Sequence, residues 1–218
     1  MAQGLKVAGS ARLCLYGPPG TGKTAYARWL AQQLDLPLLV QRGSDLQSKW
    51  VGGTEKNIAA AFAQAQADRA LLLIDEVDSF LQDRRHAQRH WEVSHVNEML
   101  TQMESFDGIF IASTNLMDEL DPAALRRFDL KVKFGYLQPA QAWQLLERCC
   151  AQLQLAPPQP QLQTRMAQLR QLTPGDFAAV LRQHRFRPLG SDRAVIDALH
   201  LECSLKSPQR QGTPMGFL

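Results

Sequence analysis

The sequence predicts an α/β protein: a parallel sheet with helices on both faces (an αβα arrangement), followed by a smaller, all-helical domain. Three observations lead to this prediction. Short apolar runs alternate with segments of helical periodicity over most of the 218 residues, and a glycine-rich loop joins the first run to the first helix. After Gly135 the periodicity is helical throughout. Because parallel strands need a crossover between them, such alternation is typical of a parallel sheet.

Each predicted element rests on a run of residues with the matching period. Apolar runs of four or five residues predict strands at Leu13–Tyr16, Leu38–Gln41, Leu71–Ile74, Ile109–Ser113 and Leu130–Phe134. Apolar residues spaced three and four apart predict helices at Lys23–Leu34, Glu55–Ala67 and Ser94–Glu104. The same spacing predicts later helices at Ala140–Leu153, Leu162–Leu172, Thr173–His184 and Ser191–Leu205. Thr173 precedes Pro174, an arrangement typical of a capped helix start.

These elements divide the chain into three segments. We expect a large αβα domain over residues 1–136, a helical domain over residues 137–205 and a flexible tail over residues 206–218. The tail contains Pro, Gly and Gln with little apolar periodicity, which is typical of poorly ordered termini.

Composition excludes several classes of protein. A hydrophobic content of 45% supplies a core, and a net charge of +3 is too small to indicate nucleic acid or an anionic membrane as a partner. The cysteines have no CxxC spacing, which favours reduced thiols at Cys14, Cys149, Cys150 and Cys203. No run reaches the length of a transmembrane helix, and the first residues lack the apolar core of a signal peptide. We therefore expect a cytoplasmic protein without a membrane partner.

The glycine-rich loop fits a phosphate-binding pattern of one Gly, four variable residues and Gly-Lys-Thr. Its members are Gly17, Pro18, Pro19, Gly20, Thr21, Gly22, Lys23 and Thr24. Glycines allow the backbone to curl so that its N–H groups point at phosphate oxygens. Lys23 is expected to reach the β- and γ-phosphates, and the Thr24 hydroxyl to bind Mg²⁺. The loop predicts that ATP and Mg²⁺ bind here.

Two carboxylates follow the third predicted strand. Asp75 is expected to hold the magnesium ion through its water shell, and Glu76 to polarise the attacking water. By itself, an apolar strand that ends in acidic residues is also consistent with an ordinary core strand. A complete phosphate loop placed between a strand and a helix favours the functional interpretation. Together the two motifs predict that the protein hydrolyses ATP.

Four further segments occur where one protein family has its motifs: Lys49–Gly53, Ile111–Asn115, Leu120–Asp129 and Gly175–Phe177. With the phosphate loop and the acidic pair, they make the chain resemble the AAA+ ATPases, and among them the AAA subgroup of ring-forming remodelling motors. The resemblance extends from Leu13 to about Leu205. It implies a nucleotide-binding αβα domain, a helical lid, ATP and Mg²⁺ as cofactors, and a homo-oligomer, expected to be a hexamer with ATP bound.

The resemblance implies roles for polar residues beyond the fourth strand. Asn115 matches the sensor-1 position, whose side chain is expected to help place the lytic water beside Glu76. Arg126 and Arg127 match the region whose arginines reach the γ-phosphate of the neighbouring subunit, a role that suits the planar, permanently charged guanidinium group. Taken alone, paired arginines more commonly lie on the surface with no such role. Some relatives carry three arginines where this chain has Leu125 and two, so the role of each arginine stays open.

Two shorter matches concern the substrate and the lid. Lys49, Trp50 and Val51 match the first pore loop of the family, where an aromatic residue grips an extended polypeptide. The alternative is that Trp50 packs into its own domain, as tryptophan does more often than not. Gly175 matches the sensor-2 position at the head of a lid helix, where a glycine lets the backbone approach the nucleotide. The resemblance thus implies a polypeptide substrate threaded through a ring.

A nucleic-acid loader or helicase-like motor is the alternative function. It rests on a basic loop with Arg84, Arg85 and Arg89, at the place of a second pore loop, and on the Arg-rich segment 184–187. A solvated charged loop explains the same arginines without any partner. A third alternative is a nucleotide-gated scaffold that assembles but hardly hydrolyses ATP, against which the intact acidic pair argues.

The start of the chain differs from the family pattern. Only 16 residues precede Gly17, and the stretch Met1–Leu5 shows no counterpart of the segment that contacts adenine in relatives. We expect the chain to be the motor portion of a longer protein; the alternative is a minimal motor with an incomplete adenine pocket. The chain alone is expected to bind ATP weakly and to form rings poorly.

Overall fold

The structure is a computed structural model, and it describes residues 1–86 and 90–206. The chain divides into two units, Met1–Phe134 and Gly135–Leu218. Each unit has its own hydrophobic core. Of the predicted tail, only Lys206 belongs to the described residues, and it is the last residue of a helix.

The first unit contains a sheet of five parallel strands. They are β1 Ala11–Tyr16, β2 Leu38–Arg42, β3 Leu71–Asp75, β4 Ile109–Thr114 and β5 Leu130–Lys133. All five predicted strands are confirmed, each to within two residues at either end. Their order across the sheet is β2-β3-β4-β1-β5. The carboxyl ends of β1, β3 and β4 are therefore adjacent, and the phosphate loop, the acidic pair and Asn115 follow those three ends.

Helices connect the strands of the first unit. They are α1 Ala2–Ala8, α2 Lys23–Leu34, α3 Gly43–Leu46, α4 Gly53–Ala67, α5 Asp78–Leu81, α6 His90–Ser105 and α7 Pro122–Arg127. The three predicted helices are confirmed as α2, α4 and α6. The bounds of α2 agree with the prediction because Gly22 and Asp35, which flank it, both have a left-handed backbone (φ 97° and 58°). The other four helices have seven residues or fewer, too few for a periodic apolar pattern.

The three central strands are buried and helices pack on both faces of the sheet, which confirms the αβα arrangement. Alternate residues of each strand point to opposite sides. On one side Leu13, Leu73 and Ile111 join the cluster that includes α1 and α2. On the other side Cys14 and Phe110, among others, join the cluster that includes α4 and α6. Hydrophobic burial on both faces holds the sheet edge with the site in place.

The second unit is entirely helical in the part that the structure describes. Its helices are α8 Pro139–Gln152, α9 Gln163–Ala167, α10 Pro174–Gln183 and α11 Asp192–Lys206. Three of the four predicted helices are confirmed, as α8, α10 and α11. Their apolar faces meet in one cluster that includes Leu146, Cys150, Val180, Ile196 and Leu199.

The predicted helix Leu162–Leu172 is wrong in its length. The structure has a short 3₁₀ turn at Pro160–Leu162 and then α9, which ends at Ala167. The chain leaves the helix because the Leu172 carbonyl accepts a hydrogen bond of 2.8 Å from the Leu137 N–H. Pro174 also disfavours a helical conformation at the residue before it, and Thr173 is extended (φ −128°, ψ 159°).

Two predictions about the whole chain bear on its chemistry. All four cysteines are free thiols, as expected, and burial raises the pKa of the Cys14 thiol to about 12. That thiol is therefore protonated and unreactive at neutral pH. Among residues 1–86 and 90–206, no helix is long and apolar enough to cross a membrane.

Candidate nucleotide-binding site

The phosphate loop turns the chain from β1 into α2 through backbone conformations that need glycine. Gly17 has φ +136°, and a Cβ there would lie 2.0 Å from the Phe134 carbonyl oxygen. Within the loop, the Thr21 hydroxyl donates a hydrogen bond of 2.8 Å to the Pro18 carbonyl. Gly22 then caps the first turn of α2. The unpaired N–H groups of that turn, together with the helix dipole, favour an anion at this position.

Lys23 lies inside the loop with only 7% of its surface exposed. Its Nζ donates to the carbonyl oxygens of Gly17 (2.8 Å) and Pro18 (3.1 Å) and to Asn115 Oδ1 (2.7 Å). Burial lowers the pKa of the ammonium group below its usual 10.5, although the carboxylates of Asp75 and other nearby acids oppose the shift. The loop thus holds a desolvated cation beside Asn115, the residue predicted to act as the sensor.

Asp75 at the end of β3 is fixed by two hydroxyl groups. The Thr24 hydroxyl donates to Asp75 Oδ2 (2.8 Å), and the Ser113 hydroxyl donates to Asp75 Oδ1. Ser113 lies directly opposite Asp75 in the β3–β4 register. Our reading of the sequence missed Ser113, although a polar residue in an otherwise apolar strand is a usable signal. It holds the carboxylate in one orientation toward Thr24.

The oxygens of Thr24 and Asp75 fit a magnesium site. Mg²⁺ prefers oxygen ligands, keeps several waters and is usually held by one or two protein oxygens together with substrate phosphates. A hydroxyl and a carboxylate that share a hydrogen bond beside a phosphate loop meet that requirement. In the described part of the chain, no group of three or more His, Cys, Asp or Glu residues forms an alternative metal site.

Glu76 follows β3 in a strained backbone conformation and is exposed. Its φ is +60°, a left-handed value that is uncommon for a residue other than glycine. Its carbonyl oxygen lies against Gly43, where an added Cβ would come within 2.4 Å of it. Residues in such conformations persist only where the surrounding structure holds them, and they cluster at functional sites.

The turn after Asn115 is held by a second pair that our reading of the sequence missed. The Thr114 hydroxyl donates to Asp78 Oδ1 and accepts a hydrogen bond of 2.8 Å from the Leu116 N–H. Thr114 is fully buried. This pair joins the end of β4 to the start of α5, and it therefore fixes the segment that contains Asn115 to the segment that contains Glu76.

The two candidate arginines occupy different environments at the end of α7. Arg127 donates from Nε to Glu104 Oε1 (2.6 Å) and from Nη1 to the Ala123 carbonyl (3.0 Å). Arg126 is exposed. The contacts of Arg127 are with α6 and with its own helix, not with the phosphate loop of its own chain.

The predicted pore loop projects its large side chains into solvent. Trp50 is 84% exposed and Val51 is fully exposed, and Lys49 is exposed beside them. The loop is closed at its base, where the Ser48 N–H donates to the Thr54 hydroxyl (3.0 Å). The alternative that Trp50 packs into its own domain is therefore wrong.

Two arginines of the predicted basic loop are bound by carboxylates. Arg84 Nε lies 2.8 Å from Asp121 Oδ2, and Arg85 Nη2 lies 2.6 Å from Asp83 Oδ2. Arg89 lies outside the described residues. Arg84 and Arg85 are thus partly neutralised, which weakens the argument for a basic collar that attracts phosphates.

Gly175 belongs to the second unit, where it is the second residue of α10. The neighbouring Asp176 caps this helix by accepting hydrogen bonds from the Thr173 N–H (2.7 Å) and hydroxyl (3.0 Å). The predicted capped start of the helix is confirmed. The role of Gly175 beside the nucleotide stays a prediction.

A parallel sheet with a phosphate loop after β1 and paired carboxylates after β3 defines a phosphate-loop nucleotide-binding protein. The sequence profile of the ATPase family associated with various cellular activities (AAA) matches residues 13–136. The chain belongs to this family, and the unit Met1–Phe134 contains all but the last two of the matched residues.

Curated relatives share this domain. The chain is 38% identical to Tat-binding homolog 7 of Caenorhabditis elegans over 132 residues, which cover 55% of this chain and 10% of that protein. It is 33% identical to spastin of Drosophila melanogaster over 186 residues, which cover 81% of this chain and 24% of that protein. It is 39% identical to protein CdcH of Halobacterium salinarum over 134 residues, which cover 57% of this chain and 18% of that protein. The chain thus spans between 10% and 24% of the length of these three relatives.

The fold also occurs in a solved structure. A chain in the structure of the E. coli MS115-1 HORMA:CdnC:Trip13 complex superposes with a TM-score of 0.69. The superposition covers 87% of this chain and 73% of that one, at 21% sequence identity. At that identity the likeness shows the fold and not the function.

Proposed function

We propose that this domain hydrolyses ATP with Mg²⁺ at a site that a second copy of the chain completes, and that a ring of such sites remodels polypeptide substrates. One observation carries the proposal. Two hydrogen-bonded pairs, Lys23 with Asn115 and Thr24 with Asp75, lie at the carboxyl edge of the sheet, and Glu76, the residue after Asp75, is exposed. Family membership and this cluster support the same chemistry.

Each residue of the site has a separate role in the proposed hydrolysis of ATP. Lys23 exchanges the carbonyl and Asn115 oxygens that it contacts for β- and γ-phosphate oxygens, which are stronger acceptors because they are charged. Thr24 and Asp75 would hold Mg²⁺, and the ion would supply positive charge beside the phosphates. Glu76 polarises a water for in-line attack on the γ-phosphate, and Asn115 holds that water in place.

A neighbouring subunit supplies the remaining positive charge. Arg126 is exposed at the end of α7, and Arg127 is held at the same end by Glu104. An arginine supplied in trans stabilises the charge of the transition state, and the neighbour's site is then incomplete without it. A closed homo-oligomer, expected to be a hexamer, satisfies every site at once.

The exposed pore loop supports a polypeptide as the substrate. A tryptophan that is 84% exposed on a glycine-bounded loop offers apolar and stacking contact to side chains of many kinds. Nucleic acid is the alternative partner, favoured by the exposed Arg185, Phe186 and Arg187 of the second unit. ATPase stimulation by an unfolded protein supports the first function. Stimulation by single-stranded DNA that falls steeply with salt supports the second.

A mixing experiment tests the shared site. Glu76→Gln subunits keep their arginines but cannot activate water, and Arg127→Ala subunits keep Glu76 but lack one arginine. Each variant alone is expected to be nearly inactive. Mixtures should recover ATPase activity, with a maximum near equal amounts, because Arg127→Ala sites then border intact arginines. Absence of recovery at every ratio would contradict a site completed in trans. Nucleotide binding by each variant, measured with a fluorescent ATP analogue, controls for folding.

A further inference from the structure

The segments that follow β3 and β4 are joined by a short antiparallel contact just before α7. Gln82 and Leu120 form an isolated β-bridge. On either side of it, the Asp121 N–H donates to the Leu81 carbonyl (2.7 Å), and the Asp83 N–H donates to the Glu119 carbonyl (3.0 Å). The start of α7 is therefore fixed to the stretch 81–84, which continues from the acidic pair.

Arg84 completes this contact through its side chain. Nε lies 2.8 Å and Nη2 3.4 Å from the two carboxylate oxygens of Asp121, and the Arg84 N–H lies 3.3 Å from Oδ2. Nη1 donates to Asn97 Oδ1 on α6 (2.8 Å). The Asp121 side chain is 5% exposed. A planar guanidinium reaches two carboxylate oxygens and a third acceptor at once, which a lysine ammonium on a flexible stem does not reproduce.

Asp121 is also the residue that begins α7. Its Oδ1 accepts a hydrogen bond of 2.7 Å from the Ala123 N–H, so that one carboxylate caps the helix and holds Arg84. Burial alone would raise the pKa of this carboxyl. The hydrogen bonds from Arg84 and from the Ala123 N–H outweigh that effect, and the pKa lies below its usual 3.8. Asp121 is therefore ionised and bound at neutral pH.

Because α7 is short, its direction depends on contacts such as this anchor at its first turn. The helix has six residues, and Arg126 and Arg127 form its last turn. A helix of that length is not stable by itself and takes its orientation from the contacts around it. A small rotation about Asp121 displaces the arginine side chains at the far end, where an error of about 1 Å in a reacting geometry costs on the order of 100-fold in rate.

We propose that Arg84 is a positioning residue for the trans-acting arginines: through Asp121 and Asn97 it sets the direction in which α7 presents Arg126 and Arg127 to the neighbouring subunit. The inference rests on the proposed shared site. It predicts that Arg84 serves the active site of the neighbour and not the site of its own chain. That asymmetry separates a positioning role from general support of the fold, which would affect both sites.

The test places Arg84→Gln on either side of the shared site in the full chain. In mixtures of the two variants, the Glu76→Gln subunit is the donor, because it supplies the arginines, and the Arg127→Ala subunit is the acceptor, because it supplies Glu76. To change the donor, Arg84→Gln is combined with Glu76→Gln, and these subunits are mixed with Arg127→Ala subunits. To change the acceptor, Arg84→Gln is combined with Arg127→Ala, and these subunits are mixed with Glu76→Gln subunits. We expect recovered ATPase activity to fall at least about tenfold when the donor carries the change, and to stay within about twofold when the acceptor carries it. Arg84→Lys in the donor should fall between the two.

Controls and contrary outcomes are defined by the same mixtures. Arg85→Gln changes the adjacent arginine, whose guanidinium contacts Asp83, and should leave recovery unchanged in the donor. If Arg84→Gln fails to fold, Asp121→Asn replaces it, because asparagine keeps the capping acceptor but loses the charge. Equal loss in donor and acceptor, or no loss in the donor, overturns the positioning role. If the parent mixture without Arg84→Gln shows no recovery, the shared site itself fails and the inference falls with it.

Discussion

Nζ of Lys23 lies 2.7 Å from Oδ1 of Asn115, although 92 positions separate them in the chain. The contact crosses from the loop after β1 to the end of β4, two strands that are neighbours in the sheet. A buried ammonium needs acceptors, and the asparagine amide supplies one of three. The cation proposed to bind the phosphates and the residue proposed to hold the water are thus adjacent in the fold.

Replacing Asn115 with alanine is expected to lower turnover while ATP still binds. The change removes the group that holds the lytic water, but Lys23 keeps the carbonyl oxygens of Gly17 and Pro18. We expect the maximal ATPase rate to fall about 100-fold, as when one positioned polar group is lost from an active site. ATP affinity, measured by equilibrium titration, should change by less than about threefold. An unaltered rate would remove Asn115 from the proposed mechanism.

Gly17→Ala is expected to destabilise the first unit and to weaken ATP binding. The new Cβ would lie 2.0 Å from the Phe134 carbonyl oxygen, and the φ of +136° disfavours any other residue. We expect the free energy of unfolding in urea to fall by about 1–3 kcal/mol. Gly4→Ala is the matched control, because Gly4 lies in α1 with no atom within 4 Å of an added Cβ. That change should stabilise by about 0.5–1 kcal/mol. Equal effects of the two changes would contradict the close approach at Gly17.

The ion pair of Asp121 predicts a stability change in acid. Folding lowers the pKa of Asp121 below 3.8, so the ionised carboxylate stabilises the folded protein at pH values above 3.8. This stability is lost as the pH falls through the lower pKa of the folded state. At neutral pH, Asp121→Asn should lower the free energy of unfolding by about 2 kcal/mol, the loss of a charged hydrogen bond. Urea titrations at decreasing pH should show the difference between the two proteins shrinking below 3.8. A difference that is constant with pH would show that the charge does not matter.

Trp50→Ala separates stability from substrate engagement. Trp50 is 84% exposed, so its removal should change the free energy of unfolding by less than about 0.5 kcal/mol. Stimulation of the ATPase rate by an unfolded protein should nevertheless be lost. Trp29→Ala is the matched control: Trp29 is 46% exposed and its ring lies 5.4 Å from that of Tyr26. It should cost about 1 kcal/mol of stability and leave stimulation intact. Stimulation that survives Trp50→Ala would argue against the pore loop.

The sequence predicted those helices and strands whose bounds depend on neighbouring residues in the chain. α2 has its predicted bounds because glycine and a left-handed aspartate flank it, and the central strands β1, β3 and β4 were found because their apolar runs are buried. The meeting of Asp75 and Asn115 with the phosphate loop followed from parallel strands ending at one edge. Contacts between distant segments could not be predicted in this way. Ser113 ends a predicted strand and Thr114 follows it, but their partners are distant: Asp75 lies opposite Ser113 in the β3–β4 register, and Asp78, the partner of Thr114, begins α5.

Long-range pairing also explains the errors. Both interpretations of Arg84, a basic loop that attracts phosphates and a solvated charged loop, missed its partner Asp121, which is 37 positions away. The helix predicted at Leu162–Leu172 stops at Ala167 because a carbonyl near its end pairs with Leu137, again a distant partner. α1 was missed because seven residues with one buried leucine show no period.

The close approach of Gly43 and Glu76 has a mechanical consequence. No side chain separates the Glu76 carbonyl from the backbone that begins α3, and α3 runs directly into the loop that carries Trp50. A rotation of the Glu76 peptide therefore cannot be absorbed by a change of rotamer. Such a rotation would have to move the backbone at Gly43, seven residues before Trp50. If Glu76 and Trp50 act as proposed, this backbone contact and α3 link the hydrolytic site to the loop that contacts the substrate.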